Sequence, residues 1–223
     1  PLLSRHHRLI QTTVRELKLP ACGLDAATCA VFGRILAKSR RISLLDLSWN
    51  NIGRTGAHSL ASVLSRGCKA VTTVMLAGCN IGSAGAEFMA DMLLRNTTLT
   101  RLDMPFNDIG PLGAAALGEV VNKNSTLREL DVRANSMGPS GGLSLASGLL
   151  HNKGALKVVK VADNQLGESV AAKLASCMRG SAKHGLDSFA ATHLNGPHCV
   201  TGTLYGRKRE RRKAQQPANT EQG

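Results

Sequence analysis

A phrase of eleven residues recurs six times between Val14 and Gly167: apolar, two variable, apolar, one variable, apolar, two variable, Asn or Cys, one variable, then Leu, Ile or Met. It begins at Val14, Ile42, Val71, Leu99, Leu127 and Leu156, so successive steps are 28, 29, 28, 28 and 29 residues. A unit that short cannot enclose a core by itself. It becomes stable only by burying its apolar face against identical neighbours, which makes the chain a solenoid.

Within each unit the fourth and sixth positions are apolar, as in Leu45 and Leu47 or Leu102 and Met104. That alternation marks a short strand with one buried face. The ninth position is Cys22, Asn50, Cys79, Asn107, Asn135 or Asn164. A buried Asn is tolerable only when hydrogen-bonded, so one per unit predicts a ladder running between loops. Gly follows the eleventh position in five units, and a helical stripe then takes over: Gly56, Ala57, Leu60, Ala61 and Leu64 recur as Gly85, Ala86, Met89, Ala90 and Leu93. Spacing of three and four puts these residues on one helix face. The expected fold is α/β, a horseshoe of stacked strand–helix units with parallel strands on the concave side and helices outside.

The 28- or 29-residue step, the Asn/Cys ninth position and the Gly-Ala-x-x-Leu helix resemble ribonuclease-inhibitor-type leucine-rich repeats, found also in NOD-like receptors and in RanGAP. The resemblance covers residues 14–180 and implies fold more than function. Two departures fall in terminal units: Asp25 replaces the first Gly, and Val170 stands where four units have Gly. The RanGAP likeness implies regulation of a GTPase as one alternative, with Arg54 and Asn51 on the rim. That family carries an acidic tail, whereas this chain ends in a basic one.

Flanking the repeats, residues 1–13 read as an N-terminal cap or the end of a preceding repeat. Residues 181–206 lack the period and read as a C-terminal cap or loop, and residues 207–223 as a disordered basic tail. The opening Pro1-Leu2-Leu3-Ser4 has no initiator Met and no long apolar run, so the chain is expected to begin inside a longer protein or after a trimmed start. Aromatic residues are only 3% of the 223, so the core must be aliphatic, in thin repeated layers.

No stretch of apolar residues is long enough to span a membrane as a helix. No Walker loop, HExxH, CxxC pair or GxSxG is present, and the acidic residues form no evident acid/base pair. No enzymatic activity, cofactor or small-molecule substrate is therefore expected. His193, His198 and Cys199 match no known metal spacing. Cys22, Cys29 and Cys79 occupy repeat positions and are expected as buried reduced thiols, which favours an intracellular protein, cytoplasmic or nuclear. Asn96 and Asn124 match the glycosylation pattern, but each lies three residues before a repeat start, where Asn ends a helix.

The variable strand positions line the inner arc and offer the candidate protein-binding residues: Trp49, Met75, Arg101, Asp103, Phe106, Glu129, Asp131, Arg133 and Lys160. Exposed aromatics beside arginines are the usual anchors of protein interfaces. Trp49 and Phe106 also admit a packing role against the next loop. Six strands at about 5 Å each give a face roughly 25 Å across, room for one helix or a small domain. Mixed charge there argues for a protein partner over nucleic acid, which would want uniform positive charge and serial aromatics.

The net charge of +13 points to a second partner class. Arg34, Lys38, Arg40 and Arg41 end the first helix, Arg66 and Lys69 the second, and Arg207, Lys208, Arg209, Arg211, Arg212 and Lys213 crowd the tail. The helix-end cations also complement helix dipoles. Edge and tail together suggest RNA or an acidic protein surface, and hence a nucleoprotein subunit as the other alternative.

Overall fold

The computed structural model describes residues 14–66, 68–152, 156–181 and 188–190. The expected N-terminal cap and basic tail lie outside the described residues, as do His193, His198 and Cys199.

Strands β1 (Glu16–Lys18), β2 (Leu44–Asp46), β3 (Thr73–Met75), β4 (Arg101–Asp103), β5 (Glu129–Asp131), β6 (Val158–Lys160) and β7 (Ser188–Ala190) form one sheet in chain order. Every neighbouring pair is parallel, and Leu17, Leu45, Val74, Leu102, Leu130 and Val159 stand in one row. Among the described residues six helices alternate with the strands: α1 (Ala26–Lys38), α2 (Gly53–Arg66), α3 (Gly82–Arg95), α4 (Gly110–Lys123), α5 (Gly138–Leu150) and α6 (Glu168–Ser181). β7 lies within 181–206, the stretch expected to be a cap or loop, and pairs Val158 with Ser188, adding a rung beyond the six repeats.

The core occupies the seam between strands and helices. Leu45, Leu47, Val74, Leu76, Leu102, Met104 and Val132 are wholly buried, as the period-two pattern requires. The helix stripe is buried too, in α2, α3 and α4 alike. Its small residues are a steric necessity: a Cβ on Gly85 or Gly113 would come within 2.4 Å of the Ile81 or Ile109 side chain.

The ninth-position ladder sets the loops. Asn107 Oδ1 accepts from the Cys79 and Ile81 amides of the preceding unit at 2.9 and 3.2 Å, while its Nδ2 donates to the Leu76 and Pro105 carbonyls at 2.7 and 3.0 Å. Asn135 and Asn164 repeat the pattern one and two units on. Serving two amides of one loop from a single oxygen forces that loop into a tight coil. Its eighth and tenth residues are left-handed, as in Phe106 (φ 59°) and Asp108 (φ 51°), and the twelfth is Gly, as in Gly110 (φ 66°). Gly is the residue that enters that region without steric cost.

The exceptions fit the same chemistry. Cys79 keeps only the donor half of the ladder, its thiol donating to the Leu47 carbonyl at 3.2 Å, because sulfur is a weak acceptor for the amides of the loop before it. In that loop the Ile52 amide turns back to the Asn50 carbonyl at 2.9 Å, and Asn51 is the one tenth-position residue without a positive φ. Asp25 replaces Gly because it caps α1 from extended backbone, its carboxylate accepting from the Thr28 amide and hydroxyl. Val170 replaces Gly at a helix position where it packs on Gly142.

A second set of caps closes the helices. Asn96 donates to the Leu64 carbonyl at 2.8 Å and accepts from the Thr98 and Leu99 amides, and Asn124 does the same one unit later. Asn96 is buried in this role, in accord with the capping reading.

Cys29, Cys68, Cys79 and Cys177 are buried free thiols, but Cys22 is exposed. The expectation of a buried Cys22 is corrected for a plain reason. In the first unit the ninth residue's thiol donates to the Pro20 carbonyl two residues back, at 3.3 Å.

Asn107→Ala strands two buried amides and two carbonyls. It should cost about 3 kcal/mol or more in urea unfolding, since each orphaned group costs roughly 1–3 kcal/mol. Burial pushes the Cys29, Cys68 and Cys79 thiols up to about 11. At pH 8 a thiol reagent should therefore label Cys22 in the native protein and those three only after unfolding. Their folded-state values lie above the ordinary 9.0, so stability should be complete below pH 9 and fall as pH climbs toward 11.

Candidate functional site

Strand alternation that buries the fourth position turns the third and fifth to solvent, and these form the open face of the sheet. Across β2 to β6 the face reads Leu44 and Asp46, Thr73 and Met75, Arg101 and Asp103, Glu129 and Asp131, Val158 and Lys160. Its charged half is one network. Arg101 grips Asp103 through Nε (3.0 Å) and Nη2 (2.8 Å) and reaches Glu129 with Nη1 at 3.1 Å. Arg133 forks onto Asp131 at 2.9 and 2.7 Å, and Lys160 stands 3.7 Å from the same carboxylate.

These forks change what each residue can offer. Asp103 and Asp131, expected among the contact residues, are only 6% and 3% exposed. They lie beneath the arginines and hold them in place. Donating hydrogen bonds to Asp103 and Asp131 raises the Arg101 and Arg133 guanidinium values above the ordinary one, against the opposing effect of partial burial. Three cations face three carboxylates, so this patch carries no net formal charge. A phosphate backbone would find no uniform field here.

The other half is apolar and aromatic. Trp49 and Phe106 occupy the eighth position of units two and four, where the coiled loop holds both backbones left-handed (φ 62° and 59°). Their ring centroids lie 5.7 Å apart at 33°, within the range of favourable aromatic pairs. The intervening unit has Gly78, and Trp49 lies directly over it: a Cβ there would sit 2.3 Å from Trp49 Cε3. Trp49 remains 57% and Phe106 55% exposed despite this contact. Packing and exposure thus coexist. The rings brace one another and leave a broad apolar surface standing at the rim, with Met75 half-buried on the strand between their units.

One feature went unflagged in the sequence. On the helical side, His58 of α2 and Phe88 of α3 meet edge to face at 4.5 Å and line a groove with Ala61, Asp91, Met92 and Arg95. The signal was there in principle, an aromatic residue and a His on adjacent helices about one repeat apart, but surface helix positions carry no period. Arg54, on which the GTPase-regulator alternative leans, lines a second pocket on the other side of the same His58 and Phe88 rings, with Thr55 and Ala84. Among the described residues no group of three or more His, Cys, Asp or Glu side chains is placed to hold a metal ion. No described helix is long and apolar enough to cross a membrane.

Stacked strand–helix units with an Asn ladder define a leucine-rich repeat solenoid. The comparisons agree: residues 42–61, 67–90, 95–118 and 123–146 match the family model described as Leucine Rich repeat. The repeats are of the ribonuclease-inhibitor type. NACHT, LRR and PYD domains-containing protein 4E of Mus musculus is 31% identical over 99 residues, which are 44% of this chain and 10% of that protein. Ribonuclease inhibitor of Mus musculus is 32% identical over 94 residues, 42% of this chain and 21% of the inhibitor. The matched region thus spans between a tenth and about a fifth of these relatives. Among solved structures, "Leiomodin-1 Actin-Binding Site 2 (ABS2)" superposes with a TM-score of 0.58 at 17% identity, over 68% of this chain and 90% of that one. That likeness bears on the fold alone.

Gly78→Ala should lift the Trp49 ring off its seat. Trp49 is the sole tryptophan, so the variant's emission should shift to the red while its far-ultraviolet circular dichroism stays the same.

Proposed function

We propose that this chain is a non-catalytic interaction scaffold that holds a protein partner against its strand-lined, concave face. What supports the reading most directly is the Trp49–Phe106 pair, two exposed rings fixed by left-handed backbone and by each other. A preorganised aromatic platform loses little conformational entropy on binding, which is why Trp, Tyr and Arg dominate interface energetics. Met75 extends the apolar area. Arg101, Arg133, Glu129 and Lys160 border it, with their orientation held by Asp103 and Asp131.

The partner best suited to this surface has an apolar or aromatic anchor for the rim and both signs of charge beside it. A polyanion meets a neutral patch there and gains nothing. The buried free thiols favour an intracellular setting for the complex. One of the similar proteins is by its name an inhibitor of ribonuclease.

The test is co-purification from native extract with the full chain as bait, with and without nuclease. A partner held on this face should survive nuclease. It should be weakened at least about 30-fold by Trp49→Ala with Phe106→Ala, equivalent to the roughly 2 kcal/mol of an interface hot spot. A partner that leaves with the nucleic acid, or that ignores both substitutions, would refute the proposal.

A further inference from the structure

The edge of the solenoid where each helix hands over to the next strand is built differently from the face. In-register parallel strands put all these loops on one side, and the residues just before the strands are linked into a row. The Ser43 amide donates to the Arg15 carbonyl, Thr72 to Ser43, Thr100 to Thr72, Arg128 to Thr100 and Lys157 to Arg128, at 2.7–2.8 Å. Along this edge stand Arg40, Arg41, Arg66, Lys69, Arg95 and Arg128, all exposed. None of the six takes part in an ion pair among the described residues. The nearby carboxylates are few: Glu119 is taken by Lys123, and Asp91 lies one helical turn before Arg95.

Two ordinary explanations fall short. Helix dipoles account for cations in a last turn, such as Arg66 and Arg95. Arg40, Arg41, Lys69 and Arg128 come after the helices have ended. Interspersed surface charge accounts for cations beside anions. Yet, apart from the Glu119–Lys123 pair on a helix, the paired carboxylates among the described residues lie on the sheet face, where they meet Lys18, Arg101, Arg133 and Lys160. The charge has separated: a neutral face beside an unneutralised edge.

We propose that this edge binds the phosphate backbone of duplex nucleic acid. The cations are held in a row by repeat geometry, at steps between the strand spacing of about 5 Å and the helix spacing of about 8–10 Å. A row of fixed positive charges suits a polymer whose negative charges are also fixed and regular. Among the described residues the rings beside these cations, His58 and Phe88, share a groove with Arg66 and Arg95 but pack edge to face on each other, and they form no series on which unpaired bases could stack, which disfavours single strands. The aromatic platform stands on the opposite rim, leaving both surfaces free to be occupied together.

The experiment titrates the full chain into a fluorescein-labelled DNA duplex and follows anisotropy across a salt series. The variant Arg40→Ser, Arg41→Ser, Arg66→Ser, Lys69→Ser should bind at least about 10-fold more weakly, and the slope of log affinity against log salt should shrink by about 3–4, near 0.9 for each lost phosphate contact. Lys69→Glu alone should weaken binding in the same direction, should the quadruple variant fail to fold. Both are measured again with Arg207, Lys208, Arg209, Arg211, Arg212 and Lys213 replaced by Ser, and the edge-dependent loss should persist. If all affinity follows the tail, or the edge variants bind as the wild type does, the proposal is wrong. Equal affinity of the wild type for polyglutamate or for phosphatidylserine vesicles would overturn it as well.

Discussion

Everything in this molecule rests on one amide side chain per turn that satisfies its neighbour's backbone. A loop packed between two others cannot reach water, and its peptide groups must find partners inside the protein. Asn107, Asn135 and Asn164 supply both an oxygen and an amide to the loop before them, so each unit completes its predecessor. The coil this imposes has left-handed residues at fixed places, and it is the reason Phe106 stands up from the surface instead of lying along a strand; Trp49 keeps the same left-handed backbone in the loop that Cys79 serves. The scaffold and its most prominent surface feature therefore share a cause. Where the ladder meets a thiol, at Cys79, the preceding loop relaxes into a local turn immediately after Trp49 and Asn50.

Charge obeys a comparable economy. With cations in large excess, the few carboxylates decide where the field is cancelled. Asp103 and Asp131 sit under Arg101 and Arg133 on the sheet, and Glu129 joins them, so with Lys160 this part of the face is balanced in charge and geometrically ordered. The helix-to-strand edge receives almost none. Two surfaces of different character result from one repeat, because the strand positions and the loop positions of a unit vary independently while its buried positions do not. A partner protein and a polyanion could then be held at once on one rigid body without competing.

Much of this was legible in the residues themselves. The strands at Leu45, Val74 and Leu102, the helix stripe from Gly56 to Leu64, and the capping role of Asn96 all follow from period and position, because a buried residue has few alternatives. The seventh strand at Ser188–Ala190 was not legible, since a three-residue strand that only continues a neighbour's hydrogen bonding needs no apolar signature of its own. Cys22 was misjudged because its repeat position implied burial, whereas its thiol bonds the Pro20 carbonyl and stays exposed.

The candidate surface divides the same way. Sequence placed Trp49, Phe106, Arg101 and Arg133 at variable strand and loop positions, because alternation and the 28- or 29-residue step determine which side chains must leave the core. That Gly78 seats the tryptophan, that the two rings touch, and that Asp103 and Asp131 are covered by arginines two residues away were decided by the stacking of units. Burial is a property of one unit repeated, so it is written in the chain as a pattern. Contacts across the surface depend on how adjacent units lie side by side, and only the assembled stack brings those atoms together.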